Sequence, residues 1–476
     1  MFDDSEKIIL SLIVIATAIG LMGLSWFFYR RIHTYDDYNV AGRSTSLFPL
    51  ICTLVGTAVG GSTLLGFMSS GFTSGVGQIW LPGAITVSGI ILLVFFLSRI
   101  RAWGERYNMV TIADFMVRRY GTAARLPTVI SILCAYAAIT GMQFVAIGTV
   151  LQLVFGLDLF VAIIITWLLL TAKTWLGGLV AVIWSDAILG ALQTVGVFFL
   201  MAVVFVQSGG VAGLMKSPYL QEHPDFLSIF NISAADLFVY LMTIGGYQLV
   251  RQDLWQRFWA ADSARTAHSG YVVAVVFTMA IGGAAVLTGA MARLGLGIDI
   301  ENPDLIYYAV LNETLPFALV ALMILVLLAT VVSCADSFFI AGASSISNDI
   351  LKPVFKITDD HKLLQMSRHA VILMSIISVA LALYAPNLVA IWILGSAMLV
   401  CGLLVPAMAA LLFDDLDPKF AVASMWLGLG AASLWQLLGQ PFGIHPVFIG
   451  LPLACSMLPF MLRTAQRRRG DEVQEV

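Results

Sequence analysis

Charge is what this chain has least of: 11% of its 476 residues are Asp, Glu, Lys or Arg, and the formal net charge is −3. A soluble domain carries charge on about 25% of its residues, so a water-soluble globule of this size is excluded. Intervals long enough for a soluble catalytic domain are missing too, the longest loops being 99–127, 207–233, 293–315 and 341–365. The five cysteines, Cys52, Cys134, Cys334, Cys401 and Cys455, lie in or at the ends of apolar runs without metal-ligand spacing, which indicates neither a disulfide framework nor a zinc site. His33, His223, His268, His361, His369 and His445 are scattered over loops and helix ends. With no HExxH motif, no paired histidines and no nucleophile beside a base, nothing carries hydrolytic or redox chemistry. The chain is not expected to be an enzyme, and no nucleic-acid partner is expected.

What the chain has in excess is apolar length. It is 60% hydrophobic, with a mean hydropathy of +0.94. Runs of roughly 20 apolar residues, enough to span ~30 Å of hydrocarbon as helix, recur about thirteen times. They fall at 8–29, 47–74, 77–98, 128–153, 159–178, 183–206, 234–258, 271–292, 316–340, 366–386, 388–413, 420–438 and 446–463. The fold class is therefore an all-α integral membrane protein in contact with the lipid bilayer. Of the 25 basic residues, all but Lys7, Lys216 and Arg293 fall on one side of these spans. Lys and Arg in short loops stay cytoplasmic, so the N-terminus is placed outside and the Arg467-Arg468-Arg469 tail inside a cell membrane. Asp3, Asp4 and Glu6 precede the first span in place of a basic segment, so it reads as a retained helix and not a signal peptide.

Two spans are not plain hydrophobic helices. The second carries Gly56, Gly60, Gly61, Ser62 and Thr63 at its middle, and the seventh carries Gly245 and Gly246. Glycine weakens a helix and lets its backbone open. Setting the first span aside makes these the leading helices of two successive five-helix blocks, which is the pointer to an inverted repeat with a binding site near the midplane. Close helix packing is the simpler use of such glycines, but it leaves their equal offset in the two blocks unexplained. The expected organisation is an N-terminal helix and loop at 1–40, a first repeat at 41–206, a second at 207–413, and two C-terminal helices with a basic tail at 414–476.

A third departure is the stretch LLATVVSCADS, Leu327 to Ser337, which puts hydroxyls and an aspartate inside a spanning helix. Polar groups at that depth mark a functional site by default. This stretch, followed by SSISNDILKP, resembles the sodium:solute symporter pattern of an AAxxST-A-DS core, an acidic-terminated helix and a lysine. TWLGGLVAVIWSDAI at 174–188 is similar to that family's T-x-x-GG-x-x-AV-x-W-TD segment. AGRSTSLFPL at 41–50 resembles the start of its first core helix, TIADFMVRRYG at 111–121 its T-x-x-EF-x-x-RYG loop, and QDLWQRFWAADS at 252–263 its Q-x-x-x-QR-x-x-A segment. The matches stand in order from about residue 41 to 354.

The resemblance implies the leucine-transporter-type fold, with two inverted five-helix repeats plus one N-terminal and two C-terminal helices, and sodium-driven symport of a small organic solute. It implies sodium as the coupling ion, held by Ala58 and Gly61 at the break of the first core helix and by Thr330, Ser333 and position 334. The residues agree in part: positions 330, 333 and 334 share one helix face, and unwound backbone must present its carbonyls to a ligand or water. Position 334, however, is Cys334, where the family places serine or threonine. Sulfur is a soft donor for a hard cation. Water, Ser337 or Ser62 can supply the missing oxygen; alternatively the coupling ion is a proton, or coupling is weak.

Asp186 falls on the aspartate of the W-TD segment, as a staging post for a cation leaving toward the cytoplasm or as a charge complementing a helix dipole. Asp336 can face the same vestibule, where a structural hydrogen bond serves equally well, and Arg251 with Asp253 reads as an ion pair or as simple positive-inside anchoring ahead of a substrate contact. The solute pocket is expected between the two broken helices: Thr63, Leu64 and Phe67 from the first, Thr243, Tyr247 and Gln248 from the second, with Trp80 and Gln143 closing it from the sides. RFWAADS at 257–263 is similar to a stretch in proline carriers of the family, but AVGGSTLLG in the first core helix is not the aspartate-containing segment they show. The cargo is open among sugars, amino acids, carboxylates, urea-like and quaternary-ammonium solutes, with an amino acid or similar small nitrogenous solute as the expectation. A transporter-like solute sensor is the other class to weigh, and the short tail after the last span leaves no room for a signalling domain.

Overall fold

In the computed structural model, residues 4–58, 60, 62–384 and 388–462 are described, with backbone alone at 62–63, 384 and 388–393. Gly61 and the Arg467-Arg468-Arg469 tail lie outside them. The described residues form helices and no strand, since a helix satisfies its own backbone polar groups without water. Nine described helices are long and apolar enough to cross a membrane, and Leu47–Ala58 and Val447–Leu462 are shorter apolar helices.

The first helix, Asp4–Tyr29, buries only Leu10, Ser25 and Phe28. Its remaining apolar surface has no protein partner and suits lipid. Arg125–Phe155 and Phe317–Ser345, by contrast, are buried along most of their length and pack on each other at the centre. Helices that are apolar all round belong in such a core.

Residues 159–178 and 183–206, expected as two spans, are two helices joined directly across a kink at Gly178 within Leu159–Gln207. Gly178 has φ 52 and ψ −165, a conformation essentially restricted to glycine. One residue thus takes the turn that a loop at 179–182 was expected to make. The ring of Tyr38 lies against it: a Cβ built on Gly178 would stand 2.6 Å from Tyr38 Cδ2. Tyr38 also donates its hydroxyl to Thr174 O at 3.0 Å, which ties the segment before the first core helix to the bend.

Both expected interruptions are present, but only one lies where the glycines placed it. The first core helix runs Leu47–Ala58 and resumes as a wide π-helical turn, Ser62–Gly66, followed by Phe67–Ser74. The seventh span runs Ala234–Val239, Tyr240–Gly245 and Gly246–Leu249 without stopping at Gly245-Gly246. It breaks instead at Val250 and Arg251, before Gln252–Ala260. The reason is close approach: a Cβ on Gly245 would meet Ser88 Oγ at 2.7 Å and Ala84 O at 2.9 Å. Gly245 is a contact point between helices, and the opening is left to a charged residue.

Gly178→Leu is expected to destabilise the protein by more than about 2 kcal/mol, from a glycine-only backbone conformation plus a clash with Tyr38. Thermal unfolding of the detergent-solubilised variant checks this; an unchanged melting temperature would show that the bend tolerates a side chain.

Candidate ion and solute site

The central helix Phe317–Ser345 brings Thr330, Ser333 and Cys334, all buried, to the interrupted first core helix. Thr330 Oγ1 donates to Val326 O one turn back, at 2.8 Å. Ser333 Oγ donates to Asp186 Oδ1, and Asp186 Oδ2 accepts from Thr53 Oγ1 at 2.5 Å. Cys334 Sγ donates to Thr57 O at 3.6 Å. Gly60 sits at the break: a Cβ there would stand 2.4 Å from Cys334 Sγ and 3.4 Å from Gln143 Nε2. The thiol, the amide and the opened backbone therefore share one small space that only glycine leaves free. Gly61 and the side chain of Thr63 lie outside the described residues.

Below the break is a network of six buried charges. Arg251 clamps Asp253 with two hydrogen bonds, Nε to Oδ1 at 3.1 Å and Nη2 to Oδ2 at 2.6 Å, and Tyr136 adds its hydroxyl to Asp253 Oδ1 at 2.9 Å. Arg257 reaches across the interface: Nε donates to Thr53 Oγ1 at 3.0 Å, Nη2 to Ser337 Oγ at 2.5 Å, and Nη2 lies 3.8 Å from Asp186 Oδ2. Lys173 pairs with Asp336 Oδ2, while Thr174 Oγ1 donates to Asp336 Oδ1 at 2.8 Å. Lys173, Arg251 and Arg257 balance Asp186, Asp253 and Asp336, and each is at most 4% exposed. Buried charge at this depth requires such pairing.

Two of the expected residues, Ala58 and Gln248, line one narrow cleft of about 20 Å³ with Thr57, Arg251, Asp253 and Arg257. Gln248 Oε1 accepts from Arg251 Nη1 at 3.0 Å. Tyr247 is buried against Tyr136, with Arg251 over its ring at 5.3 Å. Its hydroxyl is buried and has no hydrogen-bond partner among the described residues. Leu64, Phe67 and Thr243 are buried nearby in their helices, Thr243 Oγ1 donating to Val239 O. Trp80 is not brought to this group. Its Nε1 donates to Ile229 O at 3.0 Å, in the loop that covers the other end of the helices.

Arg257, Lys173, Thr53 and Tyr136 were not expected at the site. Two of them had a signal: Lys173 is a lysine inside an apolar run, and Arg257 is the arginine of the quoted Q-x-x-x-QR motif. An intramembrane charge needs a partner, and asking for each partner would have led to Asp336 and Asp186. Tyr136, a tyrosine in an apolar helix, carries no such signal.

An interrupted helix facing a hydroxyl-bearing central helix is the arrangement of a leucine-transporter-type secondary transporter. The fold agrees with solved members of that class. A Na+-coupled sialic acid symporter, solved in a substrate-bound outward-open state, superposes with a TM-score of 0.79 at 18% identity, covering 96% of this chain and 97% of that one. A nucleobase-cation-symport-1 family transporter in a closed conformation gives 0.58 at 14% identity, covering 90% and 95%. Residues 38–428 match the sodium:solute symporter family, and the chain belongs to it. Relatives include the osmoregulated proline transporter of Bacillus subtilis, 24% identical over 470 residues that cover 94% of this chain and 93% of that protein. The high-affinity proline transporter of the same organism is 24% identical over 369 residues, covering 75% and 77%. The chain is thus an integral membrane solute symporter, and its relatives are transporters rather than enzymes.

Lys173→Met leaves Asp336 buried without its cation and is expected to cost about 3–5 kcal/mol, whereas Lys173→Met with Asp336→Asn should recover much of the loss. Thermal unfolding of the two variants decides it; equal destabilisation would show that the residues act independently.

Proposed function

We propose that the protein couples the sodium gradient to uptake of an amino acid of the proline type across the cell membrane, with its N-terminus outside and its C-terminus cytoplasmic. The observation that carries this is that Cys334 meets the opened backbone at Gly60, while Ser333 and Asp186 meet the same helix about a turn earlier, at Gly56 and Thr53. In this reading the ion is held by backbone oxygens of Ala58 and Gly61, by Thr330, and by the Ser333 hydroxyl. Asp186, already bonded to Ser333, offers the next oxygen on the way out. The solute lies between the two interrupted helices, against Leu64, Phe67, Thr63, Thr243, Tyr247 and Gln248, with Gln143 at the flank and Trp80 at the outer approach. A zwitterionic amino acid suits this place: the N-terminal end of a half-helix favours a carboxylate, and the Tyr247 hydroxyl has a hydrogen bond to give. The two proline transporters among the relatives support the same solute class.

Proton coupling is the second reading, and Cys334 favours it, because a thiol is a poor sodium ligand. Uptake of radiolabelled proline into proteoliposomes separates the two. An inward sodium gradient should drive accumulation, and Ser333→Ala should lower the apparent sodium affinity at least about tenfold, the effect of ~1.4 kcal/mol. Equal uptake in sodium and choline buffers, with accumulation driven by an inward proton gradient, would transfer the coupling to protons.

Replacing the sulfur tests the ion site directly. Cys334→Ser puts a hydroxyl where the soft donor was, and the sodium concentration for half-maximal uptake should fall several-fold. An unchanged sodium dependence with transport intact would show that the thiol serves packing against Gly60 alone.

A further inference from the structure

Two of the family-like motifs have no part in the transport site, and the structure brings them together. TIADF supplies Thr111 and Asp114; SNDILK supplies Asn348, Asp349 and Lys352. Asn348 Nδ2 donates to Asp349 Oδ1 and to Asp114 Oδ1, each at 2.8 Å, so one amide holds two carboxylates side by side. Thr111 Oγ1 also donates to Asp349 Oδ1 at 2.8 Å. Asp114 Oδ2 is spent on its own helix start, accepting from the backbone of Val110 and Thr111. Asp349 is 4% exposed, and its Oδ2 is buried with no hydrogen-bond partner among the described residues.

No Lys, Arg or His of the described residues forms a salt bridge with either carboxylate. Lys352 Nζ lies 3.5 Å from Asn348 Oδ1, and that oxygen also accepts from the Tyr35 hydroxyl at 3.2 Å. Two adjacent carboxylates with one buried, unsatisfied oxygen form a costly arrangement in an apolar surround. Protonation of Asp349 ends the repulsion but leaves a buried hydroxyl on Oδ2 without an acceptor, so part of the cost stays. A bound cation does remove it: it satisfies the oxygen and offsets the repulsion between the pair.

We propose that Asp349 and Asp114, with the Thr111 hydroxyl, form a second site for a small monovalent cation, on the side to which the charge bias assigns the cytoplasm. The ligands are all hard oxygen donors, as sodium prefers to sulfur. The proposal rests on the reading of the protein as cation-coupled, and it gives an ion leaving Asp186 a further negatively charged stop before the inner solution. Tyr35 and Asn39 of the short helix Tyr35–Val40 lie over it, Tyr35 bonded to Asn348 and Asn39 accepting from Ser344 Oγ at 2.8 Å.

The test uses purified full-length protein without solute, with sodium alone as the probe, choline as control, and the melting temperature as readout. A ligand that binds the folded state raises that temperature with its concentration. Ser333→Ala, which weakens the central site, should keep a sodium-dependent rise; adding Asp349→Asn should abolish it. Asp114→Asn, which keeps the buried Asp349, should shift the sodium concentration needed by at least about tenfold, ~1.4 kcal/mol. The same sodium-dependent rise in Ser333→Ala with and without Asp349→Asn overturns the proposal, as does a rise given by calcium and not by sodium. If Ser333→Ala loses nothing while Asp349→Asn alone removes the whole response, the inner site stands and the central sodium reading fails.

Discussion

An ionised side chain inside a bilayer survives only beside its opposite, and the interior of this protein is arranged around that constraint. Lys173, Arg251 and Arg257 face Asp186, Asp253 and Asp336, and every one is buried. Arg251 with Asp253 is a local pair, but the other two contacts are not conveniences of single helices. Lys173 with Asp336 joins the bent element Leu159–Gln207 to the central helix, and Arg257 joins the second interrupted helix to Thr53 on the first and to Ser337 on the central one. Removing one charge therefore loosens contacts between elements that must later move against each other.

The same network sets the terms on which a cation can bind. The six charges cancel, so an added monovalent ion brings one uncompensated charge into a low-dielectric interior, where its cost is large. Three things offset it: the backbone oxygens at the break, the Ser333 hydroxyl, and a rearrangement around Asp186, which already bonds Ser333 and Thr53. A solute carboxylate arriving next to the ion is a fourth. Ion and solute are then linked by electrostatics rather than by shape alone, and each tightens the other by the same factor.

Much of this was legible in the chain, and the part that was not has a physical reason. Membrane spans follow from local composition, and Thr330, Ser333 and Cys334 came from the resemblance of their motif to the family, helical spacing only placing them on one face, so those readings needed no tertiary information. Glycine was the ambiguous letter. Gly60 leaves room for Cys334 at an opening, whereas Gly245 makes room for Ser88 and Ala84, and nothing local distinguishes the two uses. Gly178 shows a third use, a turn made within one residue. The indole of Trp80 is bonded to Ile229 O, 149 residues away, a contact that no local spacing shows. Arg257 and Lys173 were visible as intramembrane charges, and spacing joins Arg257 to Asp253 four residues back, but Asp186 and Asp336 lie 71 and 163 residues from them in sequence. No pattern of spacing connects such pairs.

Cys334 gains meaning in this setting. Its sulfur occupies the space beside Gly60 and donates to Thr57 O, so the thiol itself satisfies a carbonyl at the end of Leu47–Ala58. A serine there would be smaller, a better donor and a better sodium ligand at once. The thiol holds that carbonyl weakly, at 3.6 Å, and a cation that needs the carbonyl has little to displace. A weak ligand that also yields its partner easily lowers affinity without blocking entry. For a carrier this is a workable compromise, because an ion held too tightly in the solute-free state must be pulled out again on the inner side. In the proposed sodium-coupled reading, release toward Asp186 would then cost little, and selectivity for moving only with solute would rest on the linkage between the two sites rather than on strong binding at one of them.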